Sequence, residues 1–193
     1  MDPITAGPSP EMIARVCADL SAPRHTLLEA AGNVPGLYAI YGDPAGWLEL
    51  GLGSPPPGAA LYVGKTEAAP FRSVRTAQSP VRRSLAALLR DPLALRGIPR
   101  NQTKPERLSD FALSEAHDVT LTEWMDAHLE TAVWAMPPEC ANLGEIEVAV
   151  LKRWSPPLNL RDHRSTWGAR VSAAHKTMAS DARTWAREHG HRL

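Results

Sequence analysis

Residues 36–42 read GLYAIYG, and this stretch decides the fold. Its aromatic, aliphatic and β-branched side chains are typical of a strand, and the turn Gly42-Asp43-Pro44 after it is a typical strand boundary. Because successive side chains of a strand point to opposite faces, we expect Tyr38 on one face of the sheet and Leu37 and Ala39 on the other.

A second strand of the same kind follows. A Gly/Pro-rich loop at 51–58 leads to ALYVG at 60–64, so the two strands have the character of a hairpin. Each strand places a tyrosine beside a glycine, in Gly36-Leu37-Tyr38 and in Tyr62-Val63-Gly64. Tyrosine in a half-buried strand is ordinarily a core residue, so a functional role needs support from elsewhere in the chain.

Hydrophobic periodicity and capping residues predict the remaining elements. The predicted helices are 11–20, 26–31, 79–90, 121–129, 142–154 and 166–189, and further strands are predicted at 108–113 and 131–136. This order favours an α+β fold. We expect a small, mainly antiparallel sheet flanked by helices, built from strands at 36–41, 60–64, 131–136 and 108–113.

One carboxylate lies where a helix should be apolar. Glu147 has Val150 and Leu151 three and four residues after it, so it lies on the apolar stripe of its predicted helix. A carboxylate in that position is costly without a partner, and a divalent cation is one candidate. The structural alternative is an ion pair with a basic residue such as Arg83 or Arg153.

Together these motifs resemble the GIY-YIG nuclease superfamily. GLY at 36–38 stands for the first signature and YVG at 62–64 for the second. Glu147, followed twelve residues later by Asn159, resembles the superfamily's helical glutamate and terminal asparagine. Arg72, eight residues beyond the YVG glycine, has the spacing of its catalytic arginine.

The resemblance also implies a domain organisation. A GIY-YIG-like catalytic domain would span 34–160, after an N-terminal helical segment at 1–33 and before a C-terminal helical arm at 161–193. The segments 79–90 and 97–107 look like those of a bacterial, actinobacterial subgroup of this superfamily.

The chemistry that the resemblance implies is hydrolysis of a phosphodiester bond by water with one divalent metal. Glu147 would hold Mg²⁺ or Mn²⁺, with Glu145 as an alternative ligand. Tyr38 or Tyr62 would help to activate the water. The catalytic set would be completed by two further residues, Arg72 to bind the phosphate and Asn159 to brace the site, with Lys65 as an added phosphate contact.

The segment after the second signature departs from the superfamily's pattern. Pro70 interrupts the helix that the pattern places there, and Thr76 stands where the pattern has a histidine. Other basic residues are therefore alternatives to Arg72 for binding the substrate, namely Arg75, Arg82 and Arg83.

Charge is segregated along the chain although the formal net charge is +0. Residues 65–107 carry ten Lys/Arg against three acidic residues, a net +7, whereas residues 108–160 have a net −7. The basic segment suits a phosphate backbone, and its pairing with the acidic segment is the alternative. On the predicted helix 79–90, Arg82 and Arg83 lie off the apolar stripe.

Composition excludes several classes of protein. Hydrophobic residues make up 44% of the chain, enough for a core, which excludes wholesale disorder. The sequence has no apolar stretch of about 20 residues that could span a membrane, and no secretory signal, so we expect a cytoplasmic protein with no membrane partner. Cys17 and Cys140 lack any CxxC partner and are expected to be free thiols.

Three functions remain open at this stage. The first is a metal-dependent endonuclease acting on DNA, as the resemblance implies. The second is an enzyme on the same scaffold that acts on a small, anionic or amino-acid-like molecule, which the altered segment around Arg72 and the neutral net charge favour. The third is a non-catalytic nucleic-acid-binding module, which the basic segment favours. The sequence specifies no oligomeric state.

Overall fold

The computed structural model of the chain describes residues 7–22, 24–26, 35–66, 75–101, 110–138, 140, 142–159 and 167–190. These residues form, in chain order, α1 (Pro10–Ser21), β1 (His25–Thr26), β2 (Gly36–Gly42), α2 (Pro44–Glu49), β3 (Tyr62–Thr66), α3 (Pro80–Leu88), β4 (Ile98–Pro99), β5 (Phe111–Ala112), α4 (Glu115–His128), β6 (Leu129–Ala135), α5 (Leu143–Trp154) and α6 (Gly168–Glu188).

The contacts among described residues group into two units that alternate along the chain. The first unit takes its residues from Met1–Gly42, Pro56–Phe71 and Leu129–Ser165. The second takes its residues from Asp43–Pro55, Arg72–His128 and Thr166–Leu193. The domain boundaries inferred from the sequence, after residues 33 and 160, stay a prediction.

The first unit contains a four-stranded antiparallel sheet in the order β1-β6-β2-β3. The central strand β2 pairs with β3 so that Tyr38 lies opposite Gly64, and with β6 so that Tyr38 lies opposite Val133. The predicted α+β class with a mainly antiparallel sheet is confirmed. The second strand of the pair, β3, forms an edge of this sheet.

One face of the sheet packs against α1 and α5. Leu37, Ala39 and Tyr41 alternate along β2 into this core, as the strand's periodicity predicts. Tyr41 is 2% exposed, and its Oη donates a hydrogen bond of 2.8 Å to the carbonyl oxygen of Leu20 at the end of α1. Each large apolar side chain buried here contributes about 1.5–3 kcal/mol to the free energy of unfolding.

Helix α5 carries the candidate metal ligand, and its ends are fixed by the sequence. Its N-cap Asn142 accepts a hydrogen bond of 3.2 Å from the backbone N–H of Glu145. At its other end Ser155 is left-handed, with φ of 47°, which ends the helix. Ile146 and Val150 are buried in the core, so Glu147 lies at the edge of the buried stripe.

The second unit is built around α3 and α6. Ser79 caps α3, because its Oγ accepts a hydrogen bond of 3.3 Å from the N–H of Arg82, and Pro80 lies in the first turn of the helix. Helix α6 packs against α3 and against β4. At Gly97 a Cβ would lie 2.3 Å from the carbonyl oxygen of Met178, so the chain before β4 needs a glycine to approach α6.

Several sequence predictions were wrong in detail. The strand at 108–113 was expected in the main sheet, but β5 pairs with β4 in a separate two-stranded sheet. Helix α2 was not predicted, and β3 begins at Tyr62 rather than at residue 60. Most of the predicted helix at 26–31 lies outside the described residues, and Thr26 itself belongs to β1.

Candidate active site

Two tyrosines lie side by side on the sheet face opposite the α1–α5 core. The rings of Tyr38 on β2 and Tyr62 on β3 have centroids 6.0 Å apart. Gly64 lies between them, because a Cβ on Gly64 would come within 2.6 Å of Tyr38 Oη and 2.8 Å of Tyr62 Cε1. The glycine of YVG therefore provides the space in which the Tyr38 phenol lies.

The Tyr38 phenol is held in its protonated form. Burial raises the pKa of Tyr38, and the neighbouring Tyr62, through its charge and a hydrogen bond, raises it further. The negative charge of Glu147 acts in the same direction. The described surroundings of Tyr38 therefore move the pKa of its phenol away from neutral pH.

Asn159 fixes the backbone of the second signature from the side. Its Oδ1 accepts a hydrogen bond of 2.9 Å from the N–H of Val63, and its Nδ2 donates one of 2.7 Å to the Val63 carbonyl oxygen. The residue is 8% exposed, so these two bonds satisfy an amide that is largely removed from water. Asn159 is thus in position to brace the strand that carries Tyr62 and Gly64.

Glu147 has a basic partner, and it is Lys65. Glu147 Oε2 lies 3.3 Å from Lys65 Nζ, with the carboxylate side chain 18% exposed and the lysine side chain 54% exposed. Lys65 lies opposite Leu37 in the ladder, so its side chain leaves β3 on the face where α5 packs. The ion pair with Arg83 or Arg153 considered from the sequence is therefore replaced by one with Lys65.

The structure thus brings four predicted site residues together around the edge strand β3. Tyr38 and Tyr62 lie on one face of the strand at Gly64, and Lys65 with Glu147 lies on the other. Glu147 is close enough to Tyr38 for its charge to affect the phenol's pKa. Asn159 lies beside the strand, where its side chain bonds to the backbone of Val63. No local signal in the sequence pairs Lys65 with Glu147, because the two residues are 82 positions apart.

The predicted arginines fall elsewhere. Arg72 lies outside the described residues. Arg75 is an exposed residue before the 3₁₀ turn at Thr76–Gln78. The guanidinium of Arg83 donates to the carbonyl oxygen of Ala77 at 3.1 Å. Both of these arginines belong to the second unit, and their roles in substrate binding stay predictions.

Arg82 is buried inside the second unit. It is 4% exposed, and its Nη2 donates to Thr122 Oγ1 at 2.9 Å and to the carbonyl oxygen of Asp118 at 3.0 Å. Burial lowers the pKa of Arg82, and the Asp118 carboxylate opposes that shift. The sequence expectation that Arg82 lies off the buried face of its helix was wrong, because Asp118 on α4 provides a polar partner inside.

The segregated charges partly neutralise each other. Arg82 pairs with Asp118, and Arg100 pairs with Asp110 at 2.9 Å, so each pair joins the basic segment to the acidic one. Arg90 pairs instead with Asp181 at 2.8 Å. These pairs support the sequence alternative in which the net +7 of residues 65–107 is not wholly available to phosphate.

The comparisons with known proteins give the family. A family model of the GIY-YIG catalytic domain matches residues 61–178, more than half of the chain. The chain belongs to the GIY-YIG family. Nuclease-type catalytic activity follows from this membership. Neither the search of curated proteins nor the search of solved structures gave a match to the chain.

The family match begins just before YVG, and the structure supplies the other signature. The register of β2 on β3 places the GLY motif of this GIY-YIG domain beside the matched strand, with Tyr38 against Gly64.

A groove of about 1380 Å³ lies in the second unit, but neither tyrosine nor Glu147 is among its described lining residues. None of the described helices is long and apolar enough to span a membrane.

The carboxylate of Glu147 fits a hard divalent cation. Among the described residues, no group of three or more His, Cys, Asp or Glu could enclose a metal. Mg²⁺ does not require such a cage, because it binds through one or two carboxylates and keeps several waters or phosphate oxygens as ligands. Glu147 is partly exposed and supplies one carboxylate, whereas Glu145 is exposed two residues earlier on the same helix.

Proposed function

We propose that this GIY-YIG protein is a divalent-metal-dependent endonuclease that hydrolyses phosphodiester bonds of DNA. The observation that carries the proposal is the grouping of Tyr38, Tyr62, Lys65 and Glu147 around β3. Two phenols, one carboxylate and one ammonium suit a reaction in which a water attacks a negatively charged phosphorus centre.

The tyrosines would act as hydrogen-bonding groups. Because the pKa of Tyr38 is raised, its phenol is protonated at neutral pH and can donate a hydrogen bond as well as accept one. Tyr38 and Tyr62 together would hold and orient the attacking water between the two phenol oxygens and the phosphate. The raised pKa disfavours a preformed phenolate as the general base.

Glu147 would hold the Mg²⁺ or Mn²⁺ ion, whose charge polarises the phosphate and stabilises the leaving oxygen when it is bound. Lys65, with an exposed ammonium on a flexible stem, would contact a non-bridging phosphate oxygen. Asn159 would keep Tyr62 and Gly64 in place through its two hydrogen bonds to Val63. Arg72 stays the proposed phosphate-binding arginine.

The direct test is cleavage of defined substrates by the purified chain. Plasmid, single-stranded and branched DNA, with a matched single-stranded RNA, are incubated with Mg²⁺ or Mn²⁺. We expect wild-type cleavage of DNA to be lost in Glu147→Gln. The matched control is Glu145→Gln, an equal change in charge one half-turn away on α5, which should cleave like the wild type.

Each other outcome points to a specific alternative. Loss of cleavage in Glu145→Gln alone would transfer the metal to Glu145. Cleavage of RNA only would change the substrate class. Salt-dependent DNA binding without turnover would favour the non-catalytic module, and stabilisation by a small anionic metabolite but not by DNA would favour the small-molecule enzyme.

A further inference from the structure

The ion pair between Lys65 and Glu147 places a positive charge on the carboxylate that the proposed function assigns to a metal. Lys65 Nζ lies 3.3 Å from Glu147 Oε2. A Cβ at Gly144 would lie 3.8 Å from the same Nζ, so the ammonium lies against the first turn of α5. The lysine head group is therefore near the position that a cation bound to Glu147 would take.

An ammonium and a divalent cation are alternative partners for one carboxylate. If both stayed within contact distance of Glu147, their like charges would repel each other across a few ångströms at a largely buried group. Lys65 can move away, because its side chain is 54% exposed and has a flexible four-carbon stem. The backbone of Glu147 cannot follow it, because the helix is fixed by Ile146 and Val150 in the core.

We propose that Lys65 and the divalent cation compete for Glu147, and that binding of the cation releases the Lys65 ammonium to a phosphate of the nucleic acid. The inference rests on the proposed metal role of Glu147. In the absence of nucleic acid the lysine lowers the affinity of the site for the cation. With nucleic acid present, the ammonium has a phosphate partner, so cation and nucleic acid favour each other's binding.

The first test measures Mn²⁺ affinity without nucleic acid, by electron paramagnetic resonance of free Mn²⁺ and by calorimetry. Lys65→Met removes the charge and keeps most of the stem. We expect it to bind Mn²⁺ roughly tenfold more tightly than the wild type. Lys65→Arg keeps the charge and should stay near the wild type. The matched control Lys152→Met makes the same change of charge on the exposed face of α5 and should leave the affinity unchanged.

The second test measures the coupling. Mn²⁺ affinity is determined with and without a phosphorothioate-linked DNA duplex that resists hydrolysis. The duplex should raise the Mn²⁺ affinity of the wild type several-fold, and this gain should shrink in Lys65→Met. Thermal unfolding checks that each variant is folded, and Lys65→Gln replaces Lys65→Met if the latter is not.

The outcomes separate this inference from the proposed function. Equal Mn²⁺ affinity in the wild type and Lys65→Met, or weaker binding in Lys65→Met, overturns the competition while the metal role of Glu147 stands. If neither protein binds Mn²⁺, and Glu147→Gln matches both, then the proposed metal role and the competition fail together. Tighter binding by Lys65→Met that disappears in the double variant with Glu147→Gln supports both.

Discussion

Gly64 lies directly opposite Tyr38 in the ladder between β2 and β3, and the Tyr38 phenol fills the space where any other residue would place its Cβ. An alanine methyl group there would be 2.6 Å from Tyr38 Oη and 2.7 Å from its Cζ. These separations are far below van der Waals contact, so the ring must move and its contact with Tyr62 must change.

We therefore expect Gly64→Ala to lower DNA cleavage at least tenfold and to lower the free energy of unfolding by about 1–3 kcal/mol. Cleavage assays and urea unfolding measure the two effects. Gly7→Ala is the control, because among the described residues its added methyl group would meet only Glu145 Oε2, at 3.9 Å. If Gly64→Ala cleaved DNA as fast as the wild type, the position of the Tyr38 ring would not be needed for cleavage.

The bracing role of Asn159 can be tested with a nearly isosteric change. Asn159→Asp keeps an acceptor for the Val63 N–H but places an oxygen, 2.7 Å away, against the Val63 carbonyl oxygen. We expect the free energy of unfolding at neutral pH to fall by roughly 2–3 kcal/mol. Asn142→Asp is the matched control and should be neutral, because aspartate caps a helix as well as asparagine does. Equal stability of the two variants would contradict the role.

Local signals predicted much of the fold. The cap at Ser79, the ends of α5 and the alternation along β2 were readable because each depends on neighbours in sequence. Helix α2 also carried a local signal that went unused, since Asp43 Oδ1 accepts from the N–H of Gly46 and Pro44 is at the first helical position. From the sequence, only a turn at Gly42-Asp43-Pro44 was predicted there.

The structural features that were not predicted depend on residues that are distant in sequence. Arg82 can be buried because Asp118 and Thr122 on another helix accept hydrogen bonds from its guanidinium. The hydrophobic periodicity of its own helix cannot predict those partners. Similarly, the pairing of Glu147 with Lys65 depends on how α5 packs on β3. The pairing of β5 with β4 rather than with the main sheet likewise depends on tertiary packing and not on local sequence.

The arginine assigned from spacing is testable although it lies outside the described residues. If Arg72 binds the phosphate through its planar, two-pronged guanidinium, Arg72→Lys should lose cleavage at least tenfold, because a lysine supplies only a point charge. Arg75→Lys is the matched control and should retain most of the activity. The reverse order of losses, measured as kcat/KM on one DNA substrate, would move the role to Arg75.

Arg82 is expected to affect stability rather than DNA cleavage, because its contacts lie inside the second unit. Arg82→Met leaves the Asp118 carboxylate, whose side chain is only 12% exposed, without its cationic partner, so we expect a loss of about 3–5 kcal/mol in the free energy of unfolding. Arg153→Met, on the exposed face of α5, should change stability little. A stable Arg82→Met variant that has lost DNA binding would instead support the substrate-binding role predicted from the sequence.

We expect His175 to make the second unit sensitive to acid. Its Nε2 lies 3.2 Å from Ser84 Oγ on α3, and its ring packs edge-on against Phe111 of β5. Burial lowers the pKa of His175, the positive charge of Arg83 lowers it further, and Asp110 opposes the shift. The folded protein therefore holds this imidazole neutral at a pH where the unfolded chain, with an ordinary pKa of about 6.5, is protonated.

Because the unfolded state binds the extra proton, stability should be full above about pH 6.5 and should fall as the pH drops below it, by at most about 1.4 kcal/mol per pH unit from this group. His175→Asn removes the titration and should flatten that slope between about pH 6.5 and 5.5, a window above the ordinary carboxyl pKa values. The same change at exposed His25 should leave the slope as in the wild type. Urea unfolding at several pH values measures the slopes. A His175→Asn slope equal to that of the wild type would mean that protonation of this imidazole does not affect stability.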